Sequence, residues 1–113
     1  MSQLTTHILD TSIGKPAAGI SVILYEMHPS GSWKEVARGT TNTDGRIGDL
    51  LPAETVLSPN SYRLVFETAK YFSGLNTKAF YPFVPIVFEI FDESHYHVPL
   101  LLNPYGYSTY RGS

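Results

Sequence analysis

The 113-residue chain contains no cysteine. That excludes a disulfide frame, a thiolate nucleophile and any cysteine-based zinc or iron–sulfur centre. No apolar run approaches the roughly 18 residues of a membrane-spanning helix, so no membrane association is expected. Residues 1–7 lack the basic-then-apolar pattern of a secretory signal. The terminal Arg111-Gly112-Ser113 is not the Ser-Lys-Leu peroxisomal address. Cytoplasmic localisation is therefore expected ahead of the periplasm or a peroxisome. An excess of one charge is also missing, with 8 Lys+Arg against 10 Asp+Glu and a formal net charge of −2. A nucleic-acid binder would carry a basic excess on one face. Alanine, the strongest helix former, supplies only 6 residues.

What is present points to strands. Val, Ile, Thr, Tyr, Phe and Trp together make 39 of the 113 residues, and these side chains pack well on a pleated surface. A hydrophobic content of 42% is ample for one core, and the length does not admit two. A single domain over residues 1–113 follows. The 9 glycines and 8 prolines are scattered as punctuation rather than gathered into a linker.

Strands are predicted at residues 4–9, 19–27, 33–41, 46–51, 61–68, 85–91, 96–102 and 107–113. Tyr62, Leu64 and Phe66 alternate with Arg63, Val65 and Glu67, as a half-buried strand requires. Asn42-Thr43-Asp44-Gly45 is a strong turn, because Asp-Gly supports positive φ. One helix is predicted, over residues 68–75, with Thr68 as its cap, Ala69, Tyr71, Phe72 and Leu75 as its apolar side, and Gly74 ending it. Eight short strands with frequent turns indicate an all-β sandwich or barrel. The connections are too short for parallel crossovers, so mostly antiparallel pairing is expected. A body with a radius of gyration of roughly 13 Å has little room for a deep pocket, which favours a ligand site between subunits.

Four sets of residues could carry chemistry. Tyr110, Arg111 and the terminal Gly112-Ser113 put a phenol and a guanidinium close to the carboxyl end, where tails are usually small and polar. They form either a last edge strand or part of a site. His95 and His97 share a strand face, a zinc-ligand spacing, but only His7 offers a third imidazole and no carboxylate stands at a matching distance. No metal or other cofactor is therefore assigned. His7 should face the same way as Thr5 and Leu9. Arg46 follows the Asp-Gly turn. Two imidazoles and a guanidinium are parts for metal-free hydrolysis: a base poised near neutral pH and a planar donor fork for oxygen charge.

His7-Ile8-Leu9-Asp10, Thr43-Asp44-Gly45-Arg46, the run from His95-Tyr96-His97 through Val98-Pro99-Leu100-Leu101-Leu102, and the final Tyr110-Arg111-Gly112-Ser113 together resemble the 5-hydroxyisourate hydrolase family of transthyretin-related proteins. The resemblance covers essentially the whole chain. It implies a transthyretin-like sandwich of two four-stranded sheets with one short helix. It also implies catalytic roles for His7, Arg46 and His97, substrate contacts from His7, Arg46, Tyr110, Arg111, Gly112 and Ser113, and no cofactor. The implied assembly is a homotetramer, a dimer of dimers with sites at the dimer–dimer interface, acting on 5-hydroxyisourate by metal-independent ring opening in urate breakdown. A transthyretin-like carrier of small aromatic ligands is the alternative within the same fold. A structural β-sandwich with incidental histidines is the other.

Overall fold

The computed structural model describes residues 2–113. Nine strands and one helix follow in chain order: β1 (Leu4–Asp10), β2 (Lys15–Pro16), β3 (Ser21–Met27), β4 (Trp33–Thr40), β5 (Arg46–Ile47), β6 (Asn60–Phe66), α1 (Thr68–Gly74), β7 (Val84–Ile90), β8 (Tyr96–Asn103) and β9 (Gly106–Thr109). One sheet has the order β2-β1-β8-β9, with β5 added against β1, and the other has the order β4-β3-β6-β7. The expected two sheets and single short helix are thus present, the first sheet carrying β5 as a fifth strand.

Alternation decides what lies between the sheets. Leu4, Thr6, Ile8 and Asp10 of β1 are buried while Thr5, His7 and Leu9 turn outward. Tyr62, Leu64 and Phe66 are sealed from solvent, as their spacing predicts, and lie in one core cluster with Val22 and Leu24 of the neighbouring strand and with Leu100 and Leu102 of the other sheet. The radius of gyration is 13.8 Å, close to the roughly 13 Å expected for this length. Among the described residues no helix is long and apolar enough to cross a membrane.

Three local features differ from expectation. Pairing is mostly antiparallel, as expected, but β1 and β8 pair in parallel, from Leu4 opposite Tyr96 to Asp10 opposite Leu102. Short connections exclude parallel pairing only between neighbours in sequence, and here most of the sandwich forms the crossover. The predicted strand 46–51 shrinks to two residues paired with β1, because Leu50 and Leu51 leave the sheet to fill the core. Thr68 does not cap α1: Glu67 occupies that position without a side-chain bond, and Thr68 is already helical with its buried Oγ1 unpartnered. Of the predicted apolar side only Phe72 is fully buried and Tyr71 partly so, whereas Ala69 and Leu75 face solvent. Tyr71 instead ties the helix to the first sheet by donating its hydroxyl proton to Asp10 Oδ2 at 2.8 Å.

Candidate active site

Because the core takes the even-numbered side chains of β1, Thr5 and His7 stand on the outer face of the first sheet. Register then assembles their neighbours. Thr5 lies opposite His97 on β8, and His7 lies opposite Arg46 on β5. The turn before β5 is built to deliver that arginine. Gly45 has φ of +72°, and a Cβ there would meet the Ile8 carbonyl oxygen at 2.5 Å. Only glycine permits the approach that lets Ile8 N–H donate to Gly45 O at 2.8 Å. Asn42 Oδ1 accepts from the backbone N–H of Asp44 and of Arg46, at 2.9 and 3.1 Å, closing the turn.

An open depression of about 310 Å³ results, lined by Thr5, Arg46, Gly48, His95, His97 and Ser113. His7 does not line it, but strand pairing sets His7 opposite Arg46, and its electrostatics join it to the group. Burial holds the His7 imidazole below its ordinary pKa and the Arg46 guanidinium pushes the same way, while the carbonyl of Asp44 pulls back. Burial likewise lowers His97, followed by Arg46, His95 and His7. Both shifts favour the neutral imidazole, the form a general base needs. Arg46 has no ion-pair partner among the described residues, so its donors are free for a ligand. Thr5 Oγ1 lies 2.8 Å from His97 Nδ1 and 3.0 Å from His95 Nε2. No three His, Cys, Asp or Glu side chains among the described residues come together in a geometry that could hold a metal ion.

The tail divides. Gly112 N–H donates to His97 O at 2.8 Å, which lays the last residues along β8 and brings Ser113 to the depression. The missing side chain at 112 is essential to this, since a Cβ would meet His97 Cδ2 at 2.6 Å. Arg111 does not reach the imidazoles. Its guanidinium stacks 4.1 Å from the centre of the Tyr96 ring and donates to Ser94 Oγ and His95 O, each at 3.3 Å. Tyr110 and Arg111 line a separate hollow of about 320 Å³ with Val87, Phe91 and Tyr96. Within one protomer the structure thus brings together His7, Arg46, His97, Gly112 and Ser113, and leaves Tyr110 and Arg111 apart. Sequence reasoning missed Thr5, and it left His95 without a role. Thr5 shares its strand face with His7, but only the parallel register sets it against His97. A larger concavity, about 540 Å³ around Arg63, Glu67 and Lys70, lies on the outer face of the other sheet. It holds no imidazole, so chemistry rather than volume identifies the site.

Two sheets packed face to face, a lone helix after β6 and an imidazole–guanidinium cluster on an outer face define a transthyretin-like sandwich with the parts of a hydrolase. The chain belongs to the HIUase/Transthyretin family, whose family model matches residues 4–112. It is 50% identical over 117 residues to the 5-hydroxyisourate hydrolase of Mesorhizobium japonicum, covering 98% of this chain and 92% of that protein. To the mouse 5-hydroxyisourate hydrolase it is 44% identical over 114 residues, covering 99% and 96%. Among solved structures, the 5-hydroxyisourate hydrolase of Klebsiella pneumoniae superposes with a TM-score of 0.85 at 38% identity, covering 97% and 98% of the two chains. Sea bream transthyretin in complex with thyroxine superposes with a TM-score of 0.92 at 28% identity, covering 98% and 95%.

Proposed function

We propose that this protein is a 5-hydroxyisourate hydrolase, and the observation that carries the reading is the convergence of Arg46, His97 and Ser113 on one depression beside His7. Water attacks C6 of the substrate while His97 removes a proton from it. Arg46 faces the carbonyl oxygen as it becomes an oxyanion, and the N1–C6 bond then breaks. The product is 2-oxo-4-hydroxy-4-carboxy-5-ureidoimidazoline. His97 is the base because it lines the depression and its Nδ1 is already engaged by Thr5, which leaves Nε2 for the water. His7 supports it from the Arg46 side. Ser113 and the tail bound the ring of the substrate. General-base catalysis of this kind contributes roughly 10²–10⁴-fold.

The working assembly we propose is a homotetramer with the sites covered by neighbouring copies. Two observations support it. β7 and β9 each end a sheet with an open edge, and the surface between them exposes Val87, Phe91 and Tyr110. Tyr110 and Arg111 would then meet substrate only from a neighbouring copy. Gel filtration should give a species near four chains, and specific activity should fall on dilution below the association range.

The deciding experiment generates 5-hydroxyisourate in situ from urate and follows its ultraviolet decay with and without the protein. Acceleration that survives a chelator and is lost in His97→Ala is expected. The likeness to thyroxine-bound transthyretin favours a carrier as the second reading. Ligand uptake with an unchanged spontaneous decay rate would select it.

A further inference from the structure

One hydroxyl joins two imidazoles beside the site. Thr5 Oγ1 is 2.8 Å from His97 Nδ1 and 3.0 Å from His95 Nε2. The two rings lie nearly parallel, with 16° between their planes and 6.5 Å between centroids. A threonine hydroxyl has one proton and two acceptor sites. When His97 Nδ1 carries its proton and donates to Thr5, the Thr5 proton finds its acceptor at His95 Nε2. In that arrangement His97 Nε2 is unprotonated and ready to act as a base. His95 differs from His97 in being exposed, and it also lines a second small hollow shared with Gln3, Val56 and Glu93. It therefore stands between the site and solvent.

We propose that Thr5 and His95 are positioning residues that form a proton relay behind His97, holding its Nδ1–H tautomer and carrying the proton taken from water out to solvent. The inference deepens the hydrolase reading and rests on it for its kinetic consequence. As the water oxygen bonds to the substrate carbonyl carbon, the water proton passes to His97 Nε2. The Nδ1 proton of His97 moves to Thr5 Oγ1 while the Thr5 hydroxyl proton moves to His95 Nε2. His95, now an imidazolium, releases its Nδ1 proton to bulk water. The ring nitrogen leaves with its bonding pair and takes a proton from solvent at the open mouth. The net transfer is balanced, and His97 ends neutral with its Nε2 protonated. The wire resets when His95 Nδ1 takes up a proton from bulk water, the Nε2 proton of His95 returns to Thr5 Oγ1 while the Thr5 hydroxyl proton returns to His97 Nδ1, and the Nε2 proton of His97 passes to water in the depression. The charged and titratable groups facing the wire are Arg46 and His7 on the β1–β5 side, Arg111 on the tail, and Asp92 and Glu93 on the turn before β8.

Two readouts test the relay, both on the full chain. Long-range proton–nitrogen spectra of the ¹⁵N-labelled protein above pH 7 should show His97 as the Nδ1–H tautomer, with that preference lost in Thr5→Val. Kinetically, Thr5→Val and His95→Ala should each lower kcat by about 10–100-fold, the usual cost of removing a group that orients another, with KM nearly unchanged. Added imidazole should restore His95→Ala in a concentration-dependent way but not Thr5→Val, in which the wire is cut. His95→Gln, which keeps a polar group at this exposed position, controls for folding through an unchanged melting temperature. Full kcat in His95→Ala, or an Nε2–H tautomer of His97 in the unsubstituted protein, overturns the relay. If the unsubstituted protein turns over no substrate, the hydrolase reading falls, and the spectra still decide whether the wire exists.

Discussion

Replacing Gly112 by alanine adds a single methyl group, and the structure fixes what it meets. The new Cβ would sit 2.6 Å from His97 Cδ2, 3.3 Å from Cγ and 3.5 Å from Cβ. Carbon atoms rest about 3.5–4.0 Å apart, so the ring and the tail must separate by roughly 1 Å. The tail is held by the Gly112 bond to His97 O at 2.8 Å and by Arg111 stacked 4.1 Å from the Tyr96 ring centre. The ring is held only by Thr5 at 2.8 Å, so the ring yields and that bond opens. A misplacement of about 1 Å at a reacting group costs on the order of 10²-fold. That is about 2.7 kcal/mol in the barrier. Stability should change by no more than about 0.5 kcal/mol, because Gly112 lies outside the core and its φ is unremarkable for any residue. The assay is the decay of 5-hydroxyisourate generated from urate, run beside thermal unfolding. Gly74→Ala, at the end of α1 with nothing within 4 Å of its added Cβ, serves as the control and should keep full activity. Wild-type turnover by the Gly112→Ala protein would refute the claim that the tail positions His97.

Arg46→Lys keeps the charge but loses the planar fork, and kcat should fall by about 10²–10³-fold, as for loss of an oxyanion donor, with melting unchanged because Arg46 is exposed and unpaired. Full activity in that variant would remove the oxyanion role. Burial and the Arg46 guanidinium hold His7 and His97 below the ordinary imidazole value, so activity should fall on acidification, and at a lower pH than an unperturbed imidazole would give. The stability sign follows from linkage: below the unfolded-state pKa the unfolded chain binds more protons, so stability present at neutral pH is lost as pH drops through the folded-state values. Unfolding in urea at pH 7 and pH 5 checks this, and equal stability at both would contradict it. Gly45→Ala should destabilise the fold by about 1–2 kcal/mol from positive φ alone, with more from the 2.5 Å approach to Ile8 O, and should displace Arg46. An unchanged midpoint of denaturation would show that the turn relaxes freely.

Where local pattern decides structure, the sequence was readable. The alternation around Tyr62, Leu64 and Phe66 predicts a half-buried strand, and those three side chains are sealed. Asn42 to Gly45 reads as a turn, and the glycine has the positive φ that such a turn needs. Alternation also turns His7 outward, but it says which face a residue occupies and not which strand lies beside it. The parallel pairing of β1 with β8 is set by partners some ninety positions apart, and it alone brings Thr5 to His97. Thr68 illustrates a different limit: a threonine before an apolar run fits a cap, yet burial of Phe72 and the Tyr71 bond to Asp10 set the helix one residue earlier. For Arg111 the residue type suggests a ligand contact, whereas the Tyr96 ring and two acceptors on the preceding turn already occupy it. The family resemblance implied roles for His7, Arg46 and His97, where composition and spacing offered only the parts of a His/Arg site.

The placement of the site on an outer face has an electrostatic consequence. Apolar side chains pack the space between the sheets, and the depression that gathers His97 and Arg46, the proposed catalytic groups, lies on an outer face. Unit charges 4 Å apart interact by about 1 kcal/mol in bulk water and by about 4 kcal/mol at an effective dielectric of 20. The roughly 3–4 kcal/mol that an oxyanion donor commonly provides therefore needs a site from which most water is excluded. Burial already lowers both imidazoles, but Arg46 is exposed in the single protomer. The groups are correctly assembled in too polar a medium. A second copy laid over this face would raise the value of Arg46 without moving it, and the apolar residues exposed elsewhere on the protomer, Phe91, Tyr105 and Tyr110 among them, provide the driving force for association. The proposed tetramer would then be part of the catalytic device, because it would supply the low dielectric that the outer face of a single protomer lacks.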